Sequence, residues 1–262
     1  MIESLAVIRS GLEGQQTQMD VISNNLANIN TPGFKRMRAV FQDLLYQNQS
    51  QAGAFTSQAT VFPSGLQKGT GANVVSTEPI QTQGSLQQTG NALDLAINGS
   101  GFFQILMPTG QVAYTRDGSF QINAQGQVVN ALGYLMQPPV TIPRGALSIT
   151  VGTDGTVSVQ IANQSTAQSV GVIQLANFVN AAGLQNIGNN LATQTQASGN
   201  PTPGQPTFNG LGSIAQGYLE GSNVQVVDEM IDMIATQRAY ELQTQAAKSI
   251  DGMLNSLNAA AA

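Results

Sequence analysis

Leu5, Leu12, Met19 and Leu26 fall seven residues apart, and Ile8, Ile22 and Ile29 lie three residues further on, with only Gln15 breaking the second row. That is the a/d spacing of a coiled-coil seam. It predicts a helix from near Ile2 to Asn30-Thr31-Pro32-Gly33, where the residue before proline is pushed out of the α region and the proline lacks the N–H a helix needs. A second one-sided stripe closes the chain: Val227, Ile231, Ile234, Leu242, Ala246, Ile250, Met253 and Leu257 recur mostly at steps of three or four, with Arg238 interrupting. A chain with a helical seam at each end and short β-prone runs between them has few folds open to it. The expected class is α+β, two terminal helices forming a coiled-coil assembly module around an inserted all-β domain.

The second helix can start at Ser222-Asn223-Val224-Gln225, a capping-box spacing, with Asp228, Glu229 and Asp232 near the positive end of the helix dipole. Both stripes are narrow seams rather than wide core-facing faces. Isolated helices of this length with few charge pairs are marginal in water. The expectation is that they order fully only when several chains bundle, the ordering entropy being met at assembly.

Composition narrows the function. Charged residues make up 9% of the chain, far below the usual quarter, and Gln and Asn together supply roughly a fifth. Amide-rich surfaces repel one another little, which suits a densely packed polymer. The net charge of -5 leaves no electrostatic footprint for nucleic acid. The basic cluster Lys35, Arg36 and Arg38 reads as a solvated turn, or as a partner for Asp228, Glu229 and Asp232 in the same or a neighbouring subunit. With no cysteine, histidine or tryptophan, the commonest general base, metal ligand and nucleophile are missing. No cofactor or metal site is expected. No run of eighteen apolar residues spans a membrane, and Met1-Ile2-Glu3-Ser4-Leu5 has neither the basic nor the apolar region of a cleavable secretory signal.

Five segments follow: helix over 1–30, extended connector with a single hairpin over 31–90, β domain over 91–205, return connector over 206–221 and helix over 222–262. The connector carries breaks at Ala52-Gly53 and Pro63-Ser64-Gly65, with Phe41 to Tyr46 its most apolar part. From Asn91 onward, short alternating runs are separated by Asn98-Gly99, Asp117-Gly118 and Asp154-Gly155, the pattern of an all-β sandwich or barrel. Asp94, Asp117 and Asp154 are the carboxylates available to a glycan-cleaving pair, but Asp before Gly is explained by turn chemistry alone. Gly69-Thr70-Gly71 and Gly99-Ser100-Gly101 lack the third glycine of a dinucleotide loop. The expected protein is not an enzyme.

Four ordered blocks carry a resemblance. Ser23 to Arg36, with Asn24, Asn25, Leu26, Ala27, Asn28, Gly33 and Phe34 at its centre, resembles the N-terminal motif of the bacterial flagellar rod and hook proteins. Glu220 to Val224 leading to Met233–Glu241, with Arg238, Ala239 and Tyr240, is similar to their C-terminal motif, and Asp94–Phe103 and Tyr114–Phe120 are similar to their β-domain motifs. The length and the Tyr46 to Pro63 segment resemble the members that build the straight distal rod rather than the longer hook members. The resemblance implies a helical homopolymer forming a hollow axial tube in the basal body, crossing the periplasm and the outer-membrane ring and passing torque to the hook. The partners it implies are proximal rod proteins, the hook protein, the P and L ring proteins, a rod-cap muramidase and the flagellar type III export apparatus. Phe41 with Leu45 is similar to an export-gate pattern. The alternatives within reach are a hook or proximal rod protein and, more distantly, a secreted glycan-binding β domain.

Overall fold

The computed structural model describes residues 2–51, 55–57, 60–61, 64–162 and 166–261. The Ala52-Gly53 break and Pro63 lie outside the described residues, as does the side chain of Leu257. The chain is α+β and divides into two units, one built from the terminal helices and the chain between Met37 and Glu78, the other from Ala27–Arg36 and Pro79–Val224.

In the first unit α1 spans Ile2–Ala27 and α2 spans Val226–Ala261. The predicted seam of α1 faces inward: Leu5, Ile8, Leu12, Met19 and Leu26 are half-buried, and Ile22 is buried. The helix stops at Ala27, short of the proline, so Ile29 sits in the following turn and is not part of the helical seam. The stripe on α2 faces away from its own chain. Val227, Ile231, Ile234, Leu242 and Met253 are more than half exposed, whereas Glu229 and Thr236 are buried and Gln243 is half-buried. The α2 start is also later than the capping box predicts. The Ser222 hydroxyl accepts the Val224 N–H at 3.3 Å in a local turn, and the first helical bond runs from the Glu229 N–H to the Gln225 carbonyl.

Between the helices three nested pairings make one long, interrupted ribbon: Met37–Asp43 with Ala72–Pro79, Gln47–Ser50 with Leu66–Lys68, and Phe55–Ser57 with Thr60–Val61. Its wide end lies on α1, where Gly14 is buried against the Phe41 ring. Arg38 pairs with Glu78 across the ribbon, so its partner is not the acidic start of α2.

The second unit holds the apolar core. The strand Phe102–Leu106 is its centre, pairing antiparallel with Val112–Thr115 on one side and with Leu135–Gln137 and Leu175–Asn177 on the other. Alternation along it sends Phe103 and Ile105 into the main core with Leu95, Ile97, Phe120, Met136, Val159 and Leu175. Phe102 goes to the opposite face, stacking edge-on to Phe178, which in turn meets Tyr114 edge-on. A three-stranded sheet, Ala146–Val151, Thr156–Ile161 and Gln168–Val172, packs Val151, Val157 and Val159 onto the main core. Residues 206–221, expected as a connector, carry two further strands: Ser213–Gln216 pairs with Leu95–Asn98, and Tyr218–Glu220 with Leu86–Gln88.

The aspartates serve turns. Asp117 Oδ1 accepts from the N–H and hydroxyl of Ser119, and Asp154 accepts from the N–H of Thr156 at 3.1 Å and from its hydroxyl at 2.7 Å. The Thr156 hydroxyl is the main cause holding the Asp154 carboxyl below its usual value, with the Thr156 N–H second. A carboxyl depressed in the folded state adds stability that is present above its unfolded value and lost as pH falls through the folded one. In Thr156→Val, the Asp154 titration followed by NMR should therefore move up toward that of a free aspartate; an unmoved titration would assign the shift to the backbone alone.

Candidate assembly site

Three of the sequence blocks converge in the second unit on Glu220. Its backbone carbonyl accepts the Gly33 N–H at 2.8 Å, and its side chain, fully buried, is bonded on both oxygens. Oε1 accepts from Lys35 Nζ at 2.6 Å and from the Gly84 N–H at 3.0 Å; Oε2 accepts from Arg116 Nη1 at 3.3 Å. Lys35 also donates to the Thr82 carbonyl at 2.8 Å, and the Arg116 guanidinium lies 5.2 Å from the centre of the Phe102 ring. Burial pulls the Lys35 ammonium below its ordinary value, while its bond to Glu220 and the carboxylate charge push it back up. Arg116 is lowered by burial and held up by the same carboxylate. A buried ion group of this kind tolerates no missing member.

The neighbouring bonds use backbone as much as side chains. Asn223 accepts the Arg36 N–H at 2.6 Å and donates to the Ile80 carbonyl at 2.8 Å and to the Thr82 carbonyl and hydroxyl, while the Ile80 N–H reaches the Arg36 carbonyl. This holds residues 222–224 in a turn outside the helix, which starts only at Val226. Gly33 has φ +69°, and a Cβ there would stand 2.7 Å from both the Arg116 carbonyl carbon and the Asp117 nitrogen. Gly33→Ala should destabilise the second unit by about 2 kcal/mol or more, from the left-handed backbone and the clash together. Urea unfolding of the full chain measures it, and an unchanged midpoint would refute the close approach.

In the first unit Asn25 is the hub. It is 1% exposed, and both its donors and its oxygen are engaged: Nδ2 donates to the Met37 carbonyl at 2.9 Å and to Glu229 Oε2 at 3.2 Å, and Oδ1 accepts the Met37 N–H at 2.8 Å. This places the start of α2 and the end of α1 on one amide. Of the other motif residues, Leu26 and Asn28 are half-buried, Ala27 is exposed, and Asn28 Oδ1 accepts from the Thr31 hydroxyl. Phe34 is half-buried. On α2 the structure spreads the predicted residues round the helix. Arg238 pairs with Glu241 at the surface, Tyr240 is exposed, and Ala239 and Ile250 are half-buried. Phe41 is 46% and Leu45 90% exposed.

Lys35 is thus no solvated turn, and its partner is Glu220 rather than Asp228, Glu229 or Asp232. The sequence reading passed over Glu220 and Arg116 as individual residues. A signal was present: in a chain with so few charges, both stand inside the motif blocks, at the head of Glu220–Val224 and within Tyr114–Phe120.

Three family models match the chain. One described as flagella basal body rod protein covers residues 5–35, one described as flagellar hook protein FlgE/F/G D1 domain covers 96–159, and one described as flagellar basal body rod FlgEFG protein C-terminal covers 215–260. Among curated proteins, the flagellar basal-body rod protein FlgG of Buchnera aphidicola subsp. Schizaphis graminum is 51% identical, over 98% of this chain and 99% of that one. The protein of the same name from Caulobacter vibrioides is 46% identical over 97% of each chain, and that from Bacillus subtilis is 37% identical over 98% of each.

Proposed function

The chain belongs to the flagellar basal-body rod protein family and is a structural protein of the rod, not an enzyme, and from that premise we propose that it is the repeating subunit of the straight distal rod, polymerising through its terminal helices into a coiled-coil-lined tube that carries torque to the hook. The observation that supports this reading is the inverted amphipathicity of α2. Val227, Ile231, Ile234, Leu242 and Met253 are each more than half exposed on a single chain, an apolar row that a soluble monomer has no use for. In this reading a second copy buries it through a heterologous contact, which builds an open helix where the rotation between copies does not close.

In this reading the β-rich second unit is the inserted domain that forms the outer wall, facing the P and L rings, with proximal rod proteins below, the hook protein above and the rod-cap muramidase at the growing tip. The subunit reaches the periplasm unfolded through the type III export apparatus, and Phe41 with Leu45 is the segment offered to the export gate. The test is complementation. In a flagellated bacterium deleted for its own distal rod subunit, the chain should restore basal bodies with a straight distal segment joined to a hook. Incorporation into a curved hook segment, or only below the distal segment, would overturn the assignment.

A further inference from the structure

One hydrogen bond and one close approach between α1 and α2 sit at matched spacings. Asn25 meets Glu229 through a buried hydrogen bond of 3.2 Å. Fourteen residues earlier on α1, Gly11 lies under the amide of Gln243, fourteen residues later on α2; a Cβ on Gly11 would stand 2.9 Å from both Nε2 and Oε1 of Gln243. The helices therefore run antiparallel, and one register satisfies both points. Halfway along, the same register sets Gln18 opposite Thr236, which is 7% exposed. The meeting row on α2 is Glu229, Thr236, Gln243 and Ile250, seven residues apart and polar at three of four positions. On α1 it is Ser4, Gly11, Gln18 and Asn25, with no apolar side chain at all.

From this we infer that Glu229 and Gln243 are register-determining residues, a two-point lock that aligns the terminal helices of one chain in a single antiparallel register. A uniform apolar row accepts a heptad slip at little loss, because each side chain finds an equivalent neighbour. A polar row does not, and single buried polar positions are the best-attested device for fixing register in paired helices. A slip of one heptad in one direction carries Asn25 from Glu229 to Thr236 and the Gln243 amide from Gly11, which alone leaves room for it, onto Gln18. A slip in the other sets the buried Glu229 carboxylate against Gln18 and leaves Asn25 beyond the start of α2. Gln243 Oε1 is already buried without a hydrogen-bond partner among the described residues, so the lock is kept for alignment rather than for strength. Its value rests on the assembly reading above, since a tube of identical subunits requires every helix pair to be the same length and phase. The lock itself is a property of one chain.

The chain has no cysteine, so introduced thiols report register directly. Three double variants are compared as dilute full-length monomer with a short bifunctional maleimide: the aligned pair Gly11→Cys/Gln243→Cys, and the slipped pairs Gly11→Cys/Thr236→Cys and Gly11→Cys/Ile250→Cys, each displaced by about 10 Å along the helix. Intrachain linkage of the aligned pair should exceed that of either slipped pair by about tenfold, the factor given by one buried polar pairing of ordinary strength. Because those pairs themselves alter position 243 or its neighbours, a second set keeps Gly11, Gln243 and Asn25 and places the thiols at Ser4 and Ile250 for the aligned register and at Ser4 and Leu257 for the slipped one. In that set the Glu229→Leu change is added with helicity checked by circular dichroism, and the preference should fall toward one. Equal linkage of aligned and slipped pairs in the parent overturns the lock, as does a preference that survives Glu229→Leu, or linkage found only between chains. Failure to polymerise with the preference intact would instead count against the assembly reading alone.

Discussion

Glu220→Ala should unfold the second unit at temperatures the parent survives. The substitution leaves the Lys35 ammonium and the Arg116 guanidinium buried beside each other with no counter-charge, and it also frees the Gly84 N–H. Removing one member of a buried ion group costs about 3–5 kcal/mol, and in a unit of this size each kcal/mol lowers the midpoint by about 2–4 °C. A fall of roughly 10 °C in the calorimetric transition is expected. The pH dependence separates this cause from simple loss of packing. Burial already holds the folded-state Lys35 below its unfolded value, and the largest opposing influence is Glu220. Without the carboxylate, Lys35 falls further, so the folded protein binds fewer protons than the unfolded chain between the two values, and stability rises with pH across that window. The deficit of Glu220→Ala should therefore shrink as pH is raised from neutrality toward the ordinary lysine value. A deficit that stays constant would mean that lost shape, not uncompensated charge, is responsible.

Ile234→Asp should abolish polymerisation while leaving the monomer folded. Ile234 is 56% exposed in the single chain, so a carboxylate there is solvated and disturbs little within one molecule. In the proposed bundle the same position would be buried: the lost apolar burial is about 2 kcal/mol per contact and the desolvated carboxylate adds several more. At 1.4 kcal/mol for each tenfold change, the critical concentration rises by three orders of magnitude or so. Sedimentation and electron microscopy would read this, with circular dichroism of the supernatant as the control. Leu12→Asp makes the contrast, since Leu12 is half-buried in its own chain and should lose monomer stability as well as assembly. Tubes of normal yield from Ile234→Asp would remove the exposed row from the interface.

Much of the fold was legible because it rests on local chemistry. The heptad row of α1, the proline that forbids its continuation, and the Asp-Gly turns are each decided within a few residues. The α2 stripe was legible as a stripe, but not its direction. Periodicity states that Val227, Ile231 and Ile234 share a face; it cannot say that Asn25 draws Glu229 inward and so turns that face away from its own chain. The late start of α2 was hidden for a related reason. Ser222 has the right spacing for a cap, but Asn223 is held by Arg36, Ile80 and Thr82, each more than a hundred and forty residues away, and a segment tied so tightly cannot begin a helix.

The candidate site divides the same way. Its members were present in the motif blocks, yet which of them touch was not readable. Lys35 has several acidic residues to choose from, and simple charge pairing offered Asp228, Glu229 and Asp232; the antiparallel pairing of Tyr218–Glu220 with Leu86–Gln88 instead sets Glu220 in place. By itself the sequence determined that this chain has two long helices around a β-rich middle and that histidine and cysteine chemistry is closed to it. Those properties follow from periodicity and from which residue types are present. The tertiary structure decided which side of each helix is free and which carboxylate meets the buried cations, because both depend on residues brought together from distant parts of the chain, where local preference has no say.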